Sequence, residues 1–298
     1  MTVLKLTRKL TTALSAICLS LVAITTHAAQ ALQLEVYNPG EKSIFPVSSV
    51  IVSGKHDAIL IDAQFQRNDA EQLVQQIKQS GKKLSTVYVS HSDPDYYFGL
   101  DVIQAAFPNA KIVATPQTVA AIKSNMEGKK AYWSPILKDN APQKLVLPQV
   151  LKADHLNLEG KTIAIKGLKG PSPDRSYLWI PSLKTVAGGV VVANGIHVWM
   201  ADTQTVASRQ EWQATLRNIA ALKPTTVVPG HFLGAAPNGL SAVTYTSDYV
   251  KAFDDEATKA KDSTALVDAM KARYPQAGLP ASLDISAKVI KGEMKWPQ

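Results

Sequence analysis

Imidazole and carboxylate side chains crowd into one short run, His91-Ser92-Asp93-Pro94-Asp95-Tyr96, and a further histidine closes Val227-Val228-Pro229-Gly230-His231. Alternate residues leaving a strand end can point the same way. His91, Asp93 and Asp95 can therefore converge on one cation, with His231 arriving from a second strand end. Two imidazoles and two carboxylates suit zinc, and are compatible with manganese or iron. A cation so held acidifies water and stabilises the oxyanion formed in hydrolysis; Asp95 would orient that water and Tyr96 or Tyr97 would donate to the oxyanion. A plainer reading has Asp93 and Asp95 capping the helix that follows, with His91 an ordinary polar loop residue. Taken alone, the run supports both. Other signatures are absent: there is no G-x-S-x-G, H-E-x-x-H, G-x-x-x-x-G-K-[ST] or G-x-G-x-x-G.

For these side chains to meet, both runs must leave strand ends on one edge of a sheet structure. Patterning predicts strands over 32–37, 48–53 and 58–63, the last two joined as a hairpin by Gly54-Lys55-His56-Asp57. A helix over 68–80 opens at Asn68, presents Leu73, Val74 and Ile77 on one face and is closed by Gly81. The buried strand 84–90 then delivers His91. Asp93-Pro94-Asp95 breaks regular structure, so 91–98 reads as a loop before a helix over 99–107. Strand 111–114 and helix 117–124 follow, and 126–149, which holds three prolines, reads as a long surface loop over one face.

The second half repeats the style. Strands are predicted over 156–158 and 162–166, flanking Glu159-Gly160, and over 177–180 and 185–192. Ser208-Arg209-Gln210-Glu211 reads as a capping box opening an amphipathic helix to Leu222, and strand 225–228 delivers Pro229-Gly230-His231. Two β-rich halves with helices on their outer faces imply an α/β, four-layer αββα sandwich. Helices over 247–261 and 263–273, each opened by a serine, form a C-terminal extension over 240–298 packed on a domain spanning 32–239.

Four segments in register carry a family resemblance. Val87-Tyr88-Val89-Ser90-His91-Ser92-Asp93-Pro94-Asp95-Tyr96-Tyr97-Phe98-Gly99-Leu100 resembles the metallo-β-lactamase superfamily pattern of a strand followed by H-x-H-x-D-H-x-x-G. Gly170-Pro171-Ser172-Pro173-Asp174 resembles the family's G-H-T-P-G, and Val186-Ala187-Gly188-Gly189 sits where the family has a strand ending in Gly-Asp. Trp212, Leu216, Leu222, Pro224 and the closing Pro229-Gly230-His231 resemble its last helix and P-G-H. The resemblance implies the metallo-β-lactamase fold with a helical C-terminal extension, and hydrolysis of a small ester, lactone, amide or thioester.

Carried over residue by residue, His91, Asp95 and His231 keep the family's ligand types. Asp93 and Tyr96 each stand for a histidine, Pro171 for a third, and Gly189 for the bridging aspartate. The implied centre is one divalent ion, zinc first, held by His91, Asp93, Asp95 and His231. His197, in His197-Val198-Trp199-Met200-Ala201-Asp202, is a candidate replacement ligand or pocket residue; its bland reading is a hydrogen-bonded structural histidine. The rival to hydrolysis is a non-catalytic periplasmic ligand-binding or structural protein using the same cleft without an ion. A third reading is metal-free acid–base catalysis by the Asp93/Asp95 pair.

Length and composition bound these readings. Lys5, Arg8 and Lys9 precede an apolar run over 10–24, and Ala29-Gln30-Ala31 fits a cleavage site, so 1–31 reads as a signal peptide and the mature chain as periplasmic or secreted, without a membrane anchor. Cleavage there removes Cys18, the single cysteine, and with it any disulfide or thiol nucleophile. The formal charge of +8 is dispersed, and basic patches such as Gly128-Lys129-Lys130 do not recur with interleaved aromatics, which excludes a nucleic-acid-binding pattern. The expected partner is a small-molecule substrate, and no feature specifies an oligomeric state.

Overall fold

Aliphatic residues build a first sheet whose strands alternate between two buried faces. The computed structural model describes residues 31–169, 172–236 and 238–296. The expected leader, except Ala31, lies outside the described residues, as do Gly170 and Pro171. In chain order the first sheet comprises β1 (Gln33–Tyr37), β2 (Ser49–Ser53), β3 (Asp57–Ile61), β4 (Lys83–Val89), β5 (Lys111–Ala114) and β6 (Gln149–Val150), and its spatial order is the same. β1, β2 and β3 are antiparallel, whereas β3 through β6 run parallel. Parallel neighbours require crossovers, and helices supply them: α1 (Arg67–Gln79), then α2 (Pro94–Tyr97) and α3 (Leu100–Ala106), then α4 (Pro116–Leu137).

The second sheet contains β7 (His155–Leu158), β8 (Lys161–Lys166), β9 (Tyr177–Ile180) and β10 (Thr185–Ala187). A two-residue ladder pairs β11 (Ala193–Asn194) with β13 (His231–Phe232), and β12 (Thr226–Val227) runs parallel to β10 at the sheet's edge. Strand periodicity of two sorts the core into layers. Val50, Val52, Ile59 and Ile61 meet Leu156, Ile163, Ile165 and Leu178 between the sheets. Ile51, Leu60, Val87 and Val89 face the other way, onto Leu73, Ile77, Leu100 and Ile103 of α1 and α3. Behind the second sheet, Trp212, Leu216 and Ile219 of α5 (Val206–Ala221) pack with α6 (Ser241–Lys259), α7 (Ser263–Arg273) and α8 (Pro280–Ile290). The αββα sandwich with a helical C-terminal region is thus present, and the described residues from Ala31 onward form one compact unit. Among the described residues no helix is long and apolar enough to cross a membrane.

One carboxylate ties the turns of the two sheets. Glu159, between β7 and β8, accepts the backbone N–H groups of Lys55, His56 and Asp57 at 2.7, 2.6 and 2.8 Å. Three such donors hold its carboxyl at about 2.

Several expectations need correction. The stretch over 126–149 is helical as far as Leu137, because α4 opens at a Thr115 cap with Pro116 in its first turn and continues through Gly128. A mid-helix glycine costs only ~1 kcal/mol. Burial of Trp133 edge-on against Phe45 and Phe65, with centroids at 5.4 and 5.2 Å, offsets that cost. Pro135 falls near the end, where little helix remains to disrupt. Asp93-Pro94 starts a helix rather than a loop, since proline suits the first helical turn. α5 opens at Thr205, whose side chain accepts from the Ser208 N–H, so Ser208 is the box's inner partner and not its cap. The strand expected over 185–192 ends at Ala187, where Gly188 and Gly189 turn the chain with φ of +70° and +80°. α6 begins at Ser241, earlier than 247, and α8 was not foreseen.

Candidate functional site

A buried carboxylate sets the site's floor. Asp62 directly follows β3, and its φ of +64° turns its side chain across to the end of β4. There it accepts the Ser90 backbone N–H at 2.7 Å and the Ser90 hydroxyl at 2.6 Å. Ser90 Oγ in turn accepts the Gly189 N–H at 2.8 Å. Three chain segments, ending β3, β4 and β10, are thereby fixed to each other. Burial pushes the Asp62 carboxyl up to about 7, against the Ser90 hydrogen bonds and the nearby His91, which pull it down.

Immediately after Ser90 come the predicted residues, and they form two pairs. His231 Nε2 lies 2.6 Å from Asp95 Oδ2. With Nε2–H given to that carboxylate, Nδ1 remains to accept from the Tyr96 hydroxyl at 3.4 Å. The second pair is His91 and Asp93, whose Nδ1 and Oδ2 are 3.3 Å apart. Asp93 stands at the N-cap position of α2 but makes no cap hydrogen bond. Its other oxygen, Oδ1, accepts instead from Lys129 Nζ at 2.9 Å, and the same ammonium donates to the Ser92 carbonyl at 3.2 Å. Burial would raise the Asp93 carboxyl, yet His91 and Lys129 outweigh it and hold it well below the usual range.

Tyr96 packs edge-on against both imidazoles, with centroids 5.4 Å from His91 and 5.7 Å from His231. It and Tyr97 are fully buried. Burial, and then the charges of Asp95, Asp62 and Asp93, push the Tyr96 hydroxyl far up. Neither phenol therefore reaches the surface where an oxyanion would form; Tyr96 supports His231 from beneath.

His197 is buried away from these pairs, with Nδ1 3.0 Å from the Tyr249 hydroxyl of α6. Its backbone N–H bonds Gly278. Burial and Lys271 lower its imidazole. This is the bland, structural arrangement.

Sequence reasoning missed Lys129, Asp62 and Asp202. Asp62 carried a usable signal, a carboxylate inside a run read as a buried strand. Lys129 carried none, because it arrives from a helix read as loop. Asp202 accepts both the Trp199 and Trp296 indole N–H groups, at 2.7 and 2.9 Å, and burial, followed by the Asp93 charge, raises its carboxyl. Beside it the Arg175 guanidinium lies 4.9 Å over the Trp212 ring, at the wall of a cavity of about 400 Å³ that Tyr177, Val191 and Glu211 also line.

The metal centre implied by the resemblance can be tested against these donors. A catalytic zinc takes three protein ligands and keeps a fourth position for water. Among the described residues no three His, Cys, Asp or Glu side chains are arranged to hold an ion. Asp93 is already shared between an imidazole and an ammonium. At Gly189 no side chain fits: a Cβ there would lie 2.3 Å from the Ser176 carbonyl oxygen. The residues present do not fit the dinuclear centre, nor do His91, Asp93, Asp95 and His231 assemble into the single-ion site expected from the sequence.

Comparison with known proteins places this geometry. The family model described as metallo-beta-lactamase superfamily matches residues 43–231. Among solved structures, a metallo-beta-lactamase from Pontibacter korlensis is 18% identical, with a TM-score of 0.55 over 76% of this chain and 97% of that one. The DIM-1 metallo-beta-lactamase is also 18% identical, with a TM-score of 0.52 over 75% of this chain and 98% of its own. These likenesses are of fold. No curated protein matches the chain.

Proposed function

The chain belongs to the metallo-beta-lactamase superfamily, and we propose that it is an exported hydrolase of a small ester, lactone, amide or thioester whose polar centre works without the family's dinuclear zinc. One observation carries the reading: the Asp95–His231 pair, in contact at 2.6 Å, joins α2, which follows β4, to the start of β13, at two positions that keep the family's ligand types. Asp95 keeps one oxygen for His231, which leaves the other to orient a water and draw off its proton. His231, supported by Tyr96, stabilises the carboxylate in the required orientation. Positive charge for a developing oxyanion comes from Lys129 beside Asp93. The Lys5, Arg8, Lys9 and 10–24 leader pattern supports export to the periplasm or medium.

The test is a panel of chromogenic esters, lactones, thioesters and β-lactams, run on the mature protein with and without chelator. Turnover should survive chelation and fall about 100-fold or more in Asp95→Asn, the usual scale for losing an acid–base group. Activity that chelator abolishes and zinc restores would overturn the metal-free centre. A second reading, a non-catalytic binding protein, is favoured by the fact that Asp93, Asp95 and His231 all spend their contacts within the chain. Absence of turnover across the panel, with ligand-induced thermal stabilisation, would select it.

A further inference from the structure

We infer that Lys129 is a tethered cation that has taken over the charge of a metal ion at the His91–Asp93 pair and keeps divalent ions out. The inference rests on the reading that this centre works without zinc, and it names the residue responsible. The ammonium donates to one carboxylate oxygen and one carbonyl oxygen, Asp93 Oδ1 at 2.9 Å and Ser92 O at 3.2 Å, which is an oxygen cage of the sort a cation occupies. The Asp93 backbone N–H donates to His91 Nδ1 at 3.3 Å, which keeps the imidazole beside the remaining Asp93 oxygen. An arriving dication would have to displace a charge already within hydrogen-bond distance of its own ligand, and the two cations would repel each other.

The lysine is not a flexible surface residue that merely happens to reach Asp93. It lies in mid-α4, one turn after buried Met126 and one turn before Trp133, which is wedged against Phe45 and Phe65. Residues three and four apart share a helix face, so these two anchors aim Lys129 at the start of α2. Its side chain and that of Asp93 are 27% and 31% exposed, so the pair is partly shielded from screening by solvent. One departure from the family motif then finds its partner: an aspartate in place of a histidine provides the negative group that an ammonium needs and an imidazole does not.

Zinc titration by calorimetry, with cobalt(II) absorption as a second readout, tests this on wild type, Lys129→Met, Lys129→Gln, Lys129→Arg and Lys129→Met/Asp93→Asn. Wild type and Lys129→Arg should bind zinc weakly, whereas in Lys129→Met and Lys129→Gln the released Asp93 can turn to join His91 in a site that is not assembled while Lys129 holds it, so these variants should bind one equivalent at least about 100-fold more tightly, a gain lost when Asp93→Asn is added. Folding of each variant is checked by circular dichroism, and the glutamine variant stands in if the methionine one fails to fold. Folded neutral variants that gain no zinc affinity would overturn the role of Lys129 in excluding metal, and the chelator experiment on wild type would still decide the metal-free centre separately. A wild type that binds zinc as tightly as Lys129→Met would overturn it together with the metal-free centre.

Discussion

Replacing Gly189 by alanine puts a number on why the family's bridging aspartate cannot simply be restored. Two costs combine at this position. At φ of +80° a side chain is disfavoured by ~1–2 kcal/mol relative to glycine. The new Cβ would also fall 2.3 Å from the Ser176 carbonyl oxygen, far inside van der Waals contact. Relief is difficult, because Ser176 is fully buried and the Gly189 N–H is held by Ser90 Oγ. Overpacking of this kind adds roughly 1–3 kcal/mol, so the total should be about 2–5 kcal/mol. For a chain of this size each kcal/mol moves the midpoint by roughly 2–4 °C. Thermal unfolding followed by circular dichroism should therefore show a drop of at least about 4 °C. Gly81→Ala is the control, since φ there is +66° and nothing lies within 4 Å of the added carbon. It carries the conformational cost alone, ~1–2 kcal/mol. Equal melting shifts in the two variants would refute the claim that close approach to Ser176 excludes a side chain, and Gly189→Asp would then become a route to rebuilding a metal ligand.

Other perturbations follow the same structure. Asp62 is raised to about 7 in the folded protein, so the native state holds its proton more tightly than the unfolded chain; its contribution is fully present below about pH 4 and falls by ~1.4 kcal/mol per unit up to about pH 7. Urea melts across that range should show the slope in wild type and lose it in Asp62→Asn. Glu159 is depressed to about 2, so its contribution is present above its ordinary value near 4.5 and is lost as pH falls towards 2; acid unfolding of Glu159→Gln should lack this component. Trp296→Ala removes one of two indole donors to Asp202 and the edge contact to Trp199 at 4.9 Å, which should cost ~1–2 kcal/mol in chemical denaturation; no measurable loss would show that the tail's packing is idle.

The layered architecture was legible because strand alternation and helix periodicity record which faces are buried. Val50 and Val52 against Ile51 is such a record, and so is Leu73 with Ile77. Segments whose order depends on distant partners were not legible. α4 looked like a loop since Gly128 and Pro135 weaken local preference, and Trp133 pays for it only when Phe45 and Phe65 are in place. Individual site residues could be named because His91, Asp93, Asp95 and His231 are chemically distinctive. Their pairing could not, because Lys129 enters from 36 residues away and converts a potential ligand into an ion-pair partner.

The Asp62–Ser90–Gly189 chain also has a consequence in time. Its two links join residues 28 and 99 positions apart; the first closes within the first sheet, between the ends of β3 and β4, whereas the second cannot close until both sheets have docked. Contacts of such separation form late, after the entropy of closing the intervening chain has been met. The Gly189 link of the site's floor should accordingly mature as one of the last cooperative steps of folding. In native-state hydrogen exchange the Gly189 amide should therefore open as the two sheets part, at lower free energy than the Ser90 amide, which Asp62 holds within the first sheet.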